Sequence, residues 1–89
     1  MPKRGPRSVK KTRDRKALLH LLRSIRTEAG LRQEDLAQAL SRRQAYVSKY
    51  ELGERRLDLL ELVSICDAVG ISLTDFALRF EKLRQEAAD

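Results

Sequence analysis

The sequence predicts an all-α fold, a compact five-helix domain behind a disordered basic N-terminal arm. Three observations predict it. Apolar residues recur at three- and four-residue spacing in the segments after Asp14. No segment alternates apolar and polar residues at period two between turn signals. The segments are divided by single glycines or short polar turns. Eighty-nine residues, 42% of them hydrophobic, suffice for one core, near the lower size limit for a domain without disulfides or metals.

Residues 1–13, "MPKRGPRSVKKTR", contain both prolines and almost no apolar side chains, so they are expected to form a flexible arm. Residues 1–16 hold Lys3, Arg4, Arg7, Lys10, Lys11, Arg13, Arg15 and Lys16 against Asp14 alone, whereas the remainder of the +6 chain is nearly neutral. Such a distribution is a footprint for a polyanion, or alternatively a solubilising tail. The domain is expected to occupy residues 14–89.

Helix one begins at Asp14, with Leu18, Leu21, Leu22, Ile25 and Ala29 at helical spacing and Gly30 as its stop. Helix two covers 33–40, where Glu34 and Asp35 suit the positive end of the helix dipole and Leu36, Ala37 and Leu40 face the core. Asp58 and Glu61 form the capping pair of helix four, whose expected core face is Leu59, Leu62, Val63, Cys66 and Val69, closed by Gly70. Ser72 and Asp75 open the last helix, about 73–87, with Leu73, Phe76, Ala77, Phe80 and Leu83 as its stripe.

Between helices two and four lies "LAQALSRRQAYVSKYELG", without a glycine until Gly53. Read as a single helix at about 100° per residue, it would align Leu36, Leu40, Val47 and Tyr50 but set Arg43 in the middle of that stripe. Burying an unpaired guanidinium is prohibitive, so the chain must turn near Ser41 and Arg42. Helix three then covers 43–52. Its inner face is Val47 and Tyr50, flanked by Tyr46 and Glu51, and its outer face is Gln44, Ala45, Ser48 and Lys49. Short and amide-bearing side chains framed by Arg42, Arg43, Arg55 and Arg56 suit base edges and phosphates in a DNA major groove. No basic-aromatic stacking pattern is read around Tyr46 and Tyr50, so packing is their expected role and single-strand binding is not expected.

From Leu22 to Leu73 several features keep one spacing together: Gly30-Leu31, Gln33-Glu34-Asp35-Leu36-Ala37, Val47-Ser48-Lys49-Tyr50-Glu51, Gly53 and Ala68-Val69-Gly70-Ile71. On these residues the chain resembles the helix-turn-helix domains of the phage lambda repressor and Cro type, the xenobiotic-response-element (XRE) family. The resemblance implies a lambda-repressor-like fold whose third helix enters the major groove. It implies that Gln44, Ala45 and Lys49 touch bases, with Ser48 at a base or the backbone, and that Gln33 holds a phosphate. It further implies a salt bridge between Arg26 and Glu51. Two departures stand out: Ser41 replaces a customary turn glycine, and Arg32 replaces a capping Ser or Thr.

The same resemblance implies a homodimer on an inverted repeat of double-stranded DNA. The apolar stripe of the last helix runs on towards Ala87 and Leu78 lies off it, which makes Phe76, Leu78, Phe80 and Leu83 the interface candidates. The expected function is a cytoplasmic transcriptional regulator, a repressor or autoregulator that joins the nucleoid when bound. An antitoxin with a toxin as protein partner and a restriction-modification controller are the alternatives. No apolar run approaches the roughly 18 residues of a membrane span. Cys66, the single cysteine, lies in "LLELVSICDAV" beside Asp67 and is expected to be an inert buried thiol; His20 has no partner at ligand spacing. No metal or cofactor is expected. No nucleophile with a base, carboxylate pair with acid/base partners or phosphate loop suggests an enzyme.

Overall fold

The computed structural model describes the backbone of residues 7–88 and the side chains of residues 12–86. Five α-helices follow one another: α1 Arg7–Glu28, α2 Gln33–Ala39, α3 Gln44–Glu51, α4 Leu59–Val69 and α5 Leu73–Ala88. There is no strand among the described residues. The expected fold class is the observed one.

Helix α1 starts seven residues before Asp14. After Pro6 the sequence has no breaker, and its lysines and arginines are good helix formers, so the helix propagates outward from its packed half. The first six residues of the expected arm lie outside the described residues. Helix α1 packs against both α5 and α3, while α2 packs on α3 and α4, and α4 on α5. The shared core is Leu21, Leu22 and Ile25 of α1, Leu36 and Ala37 of α2, Val47 and Tyr50 of α3, Ile65 and Cys66 of α4, and Phe76 of α5.

The turns explain how so short a chain changes direction repeatedly. Helix α2 ends with the Arg42 N–H donating to the Ala37 carbonyl at 2.9 Å and the Ser41 N–H to that of Gln38 at 3.0 Å. This back-bonded ending requires a left-handed residue, and Ser41 supplies it at φ 56°. A serine there costs about 1 kcal/mol relative to glycine's freedom. Helix α3 closes in the same way around Gly53 at φ 83°, with the Glu54 N–H donating to the Lys49 carbonyl at 2.9 Å.

The helix starts follow their capping chemistry. Asp58 accepts from the Glu61 N–H at 2.7 Å, and Glu61 accepts from the Asp58 N–H at 3.0 Å. The Asp75 N–H likewise donates to the Ser72 hydroxyl at 3.0 Å. At α2, Arg32 has no hydroxyl to offer the first turn, but Asp35 accepts the Arg32 N–H at 2.9 Å and also pairs with its guanidinium. One half of a capping box is therefore made.

The structure corrects several core assignments. In α4 Ile65 and Cys66 are buried, with Leu62 and Val69 half-buried against the core, a stripe of the same i, i+3, i+4, i+7 spacing as the expected one but in another rotational phase, and Leu59 is exposed. Ala29 and Ala77 are also exposed. Phe76, expected at a dimer interface, is instead a core residue, 3% exposed and with no surface to offer a partner, and Phe80 and Leu83 pack against the core with only part of their surface free. Leu78 is different, at 64% exposed. Cys66 is buried, and burial together with Asp67 pushes its thiol pKa up.

Candidate nucleic-acid interface

Helix α3 is built to show one face and bury the other. Val47, Tyr50 and Glu51 are buried, whereas Gln44, Ala45 and Lys49 are exposed and Ser48 is half-buried. Arg43 occupies the N-cap position, exposed like Arg56 beyond the helix's far end. The four proposed reading residues thus share the outer side of a helix whose inner side is locked into the core.

On one flank of α3 a buried carboxylate organises the approach of α1 and α2. Glu51 is 2% exposed, yet its oxygens are fully engaged. Arg26 donates Nε to Glu51 Oε2 at 2.7 Å and Nη2 to Oε1 at 3.0 Å, in a fork matched to the carboxylate plane. Its Nη1 donates to the Leu31 carbonyl at 2.9 Å, tying the turn after α1 to the pair. The bond to Glu51 holds the Arg26 pKa above its ordinary value despite the opposing effect of burial.

Gln33 extends this network outward. Its Nε2 donates to Glu51 Oε1 at 2.9 Å, and its Oε1 accepts from Gln44 Nε2 at 2.7 Å. A chain of hydrogen bonds therefore runs from the buried carboxylate to the first residue of α3. Arg26, Arg32, Gln33, Glu34 and Gln44 line an open cleft of about 410 Å³ at this corner. The amide dipoles are ordered before any ligand arrives.

On the other flank a second carboxylate organises two of the cations. The Tyr46 hydroxyl donates to Glu61 Oε2 at 3.1 Å, and the same oxygen lies 2.8 Å from Arg55 Nη1 and 3.7 Å from Arg42 Nη2. Both guanidiniums lie over the Tyr46 ring, at 4.3 Å for Arg42 and 4.7 Å for Arg55 from its centroid. The Asp58 N–H, followed by Arg55 and Tyr46, holds the Glu61 carboxyl below the usual carboxylate range. The stacking of two guanidiniums on Tyr46 corrects the expectation that no basic-aromatic pattern surrounds it. The relation is four residues of helix-start spacing for Arg42, but for Arg55 and Glu61 it depends on the path of the α3–α4 loop, which no local pattern encodes.

Tyr50 packs edge-on to Tyr46, with ring centroids 5.5 Å apart and planes at 76°. Its hydroxyl is buried without a hydrogen-bond partner, and burial drives its pKa up. A further unforeseen contact comes from α1: Arg15 Nη2 donates to the Gly53 carbonyl at 2.6 Å. It braces the end of α3 across 38 residues of sequence, a separation at which spacing carries no signal.

No described helix is long and apolar enough to cross a membrane, and the described residues contain no group of three or more side chains suited to a metal. A helix-turn-helix family model matches residues 22–76. Among solved structures, the chain is similar to an XRE-family like protein from Pseudomonas syringae pv. tomato, at 36% identity and TM-score 0.76, covering 86% of this chain and 93% of that one. It is also similar to the clp gene regulator ClgR from Corynebacterium glutamicum in two structures. One gives 31% identity, TM-score 0.70 and coverage of 80% and 91%; the other gives 32%, 0.72 and coverage of 84% and 81%. No curated protein matches. With two helices joined at a left-handed Ser41, an outward row on the second of them and a family match spanning most of the chain, the protein belongs to the XRE-family helix-turn-helix proteins.

Proposed function

We propose that the protein is a sequence-specific double-stranded-DNA-binding transcriptional regulator that acts as a homodimer on an inverted repeat and represses or autoregulates its target. The observation that carries this reading is the outward row of α3, with Gln44 tethered through Gln33 to a buried ion pair. A glutamine amide suits adenine N6 and N7, the Ala45 methyl suits the thymine methyl, and the Lys49 ammonium suits guanine O6 or N7. Ser48 supplies a hydroxyl for a base or the backbone. Gln33, Arg42, Arg43, Arg55 and Arg56 supply the surrounding phosphate contacts, with the α2 N-terminus behind Gln33. The ClgR structures are described as those of a clp gene regulator, which supports gene regulation as the class of activity.

The dimer reading rests on Leu78, the exposed member of the original α5 set. A sedimentation mass of two chains at tens of micromolar is expected, falling to one chain in Leu78→Glu; a single-chain mass for the unaltered protein overturns it. The basic N-terminal segment adds sequence-tolerant affinity, because residues 1–13 hold six Lys/Arg and no acid. The principal experiment is footprinting on the gene's own upstream region with the unaltered protein, Gln44→Ala and Lys49→Ala. Protected sites that weaken or change in the variants support the reading. The same sites protected with the same specificity by both variants would remove α3 as the reading element.

A further inference from the structure

We propose that Glu61 and Tyr46 are positioning residues that hold the guanidiniums of Arg42 and Arg55 ready for the phosphodiester backbone. The inference rests on α3 being a DNA-reading helix and assigns work to two residues that the reading face itself does not include.

Glu61 is well fixed for this task. Its Oε1 accepts the Asp58 N–H at 3.0 Å, so the carboxylate is anchored to the backbone that opens α4. Its Oε2 faces the Tyr46 hydroxyl, Arg55 Nη1 and Arg42 Nη2 together. The Arg55 Nη1 also donates to the Arg56 carbonyl at 3.0 Å. The Tyr46 ring supplies the platform beneath both guanidiniums, and its own orientation is set by the edge contact with the buried Tyr50. Four segments, the α2–α3 turn, α3, the α3–α4 loop and the start of α4, are joined in this way at one oxygen.

The two arginines nevertheless remain open to a ligand. Their side chains are 47% and 36% exposed, and a guanidinium carries five N–H donors, of which Glu61 engages only a part. A free arginine must give up rotamer freedom when it grips a phosphate; one already stacked and paired has surrendered most of it on folding. The planar fork also keeps its orientation, which a phosphate contact needs in order to fix register along the duplex. The carboxylate has an opposing effect, since its charge repels phosphate. With both cations beside it the cluster carries a net positive charge, so ordering outweighs repulsion.

The test uses the full chain and a mixed-sequence duplex of about three helical turns, titrated over a range of salt. Glu61→Gln keeps a side chain that can still accept the Asp58 N–H, so the α4 cap survives. Expected are about three- to tenfold weaker binding and a salt slope smaller by up to ~0.9 for each phosphate contact loosened. Tyr46→Leu, which removes the platform, should do the same, and Tyr46→Phe, which keeps it, should stay near the unaltered protein. Binding by Glu61→Gln as tight as or tighter than that of the unaltered chain would show the carboxylate to be a bystander or a competitor and overturn the proposal. So would an effect confined to the unfolding midpoint with an unchanged salt slope. Failure of the unaltered chain to bind duplex at all would remove the DNA reading, and the proposal with it; intact binding by the variants removes the positioning role alone.

Discussion

The two flanks of α3 use the same chemistry in opposite surroundings. On one, Glu51 meets Arg26 in a forked pair whose side chains are 1% and 11% exposed; on the other, Glu61 meets Arg55 and Arg42 where both cations face solvent. Burial decides what each pair is for. A charge in the dry site must keep its partner, so the Arg26–Glu51 pair fixes the angle of α1 and α3 and acts as structure. An exposed pair adds little to stability, and its cations remain available to a second anion. The molecule thus has a rigid side that sets where α3 points and a wet side that can trade partners.

The largest expected effect tests the dry side. Glu51→Gln leaves the largely covered Arg26 guanidinium without its counter-charge and should lower the free energy of unfolding by about 3 kcal/mol, read by urea denaturation. Arg26→Ala should cost a similar amount. The double variant Arg26→Met with Glu51→Leu should recover much of the loss, since removing both charges ends the desolvation problem while keeping apolar volume. An additive loss in the double variant would show that the two residues do not act as a pair.

Next in size is Gly53→Ala, at the junction of both flanks. A left-handed φ of 83° penalises any side chain, and a Cβ there would lie 2.9 Å from Leu19 Cδ1. A loss of about 1–2 kcal/mol is expected in the same urea measurement, with weaker support for α3 from the Arg15 contact to the Gly53 carbonyl. A neutral substitution would mean that the end of α3 relaxes freely and that the comparison between a rigid and a yielding side is drawn too sharply.

Tyr50→Phe should act in the other direction. The Tyr50 hydroxyl is buried and unpaired, so its removal sheds a desolvation cost while the ring keeps its edge contact with Tyr46. A gain of up to ~1 kcal/mol is expected in thermal or urea unfolding, without change in DNA affinity. A loss of stability would point to a hydrogen bond that the hydroxyl makes in solution.

These sites differ in how readily the sequence discloses them. The break at Ser41 was legible because an arginine in the middle of an apolar stripe is physically untenable, and Glu51 invited a cation because it borders Val47 and Tyr50 on the inner face. A run as apolar as "LLELVSIC" supports more than one rotational phase, so spacing alone puts Leu59 and Val63 on the core face and misses Ile65. The Glu61 cluster was hidden for another reason. Glu61 had a sufficient local role as a capping residue, and only the course of the loop through Gly53 carries Arg55 back over Tyr46.

The smallest expected effect on stability falls on the wet side, in Glu61→Gln. The Asp58 N–H and the neighbouring Arg55 and Tyr46 lower the Glu61 pKa on folding. A lowered folded pKa contributes stability that is fully present above the unfolded value and is lost as pH falls through the folded one. The difference in stability between the unaltered chain and Glu61→Gln should therefore be constant near neutral pH and shrink only in acid, below the ordinary carboxylate range, followed by urea unfolding across that window. Its size at neutral pH should be well below the loss in Glu51→Gln, because solvent screens the exposed pair. Equal losses for the two variants would break the contrast between the flanks. A small, acid-sensitive loss accompanied by weakened duplex binding would sharpen it: a carboxylate that contributes little to folding would then owe its place to the two arginines it holds.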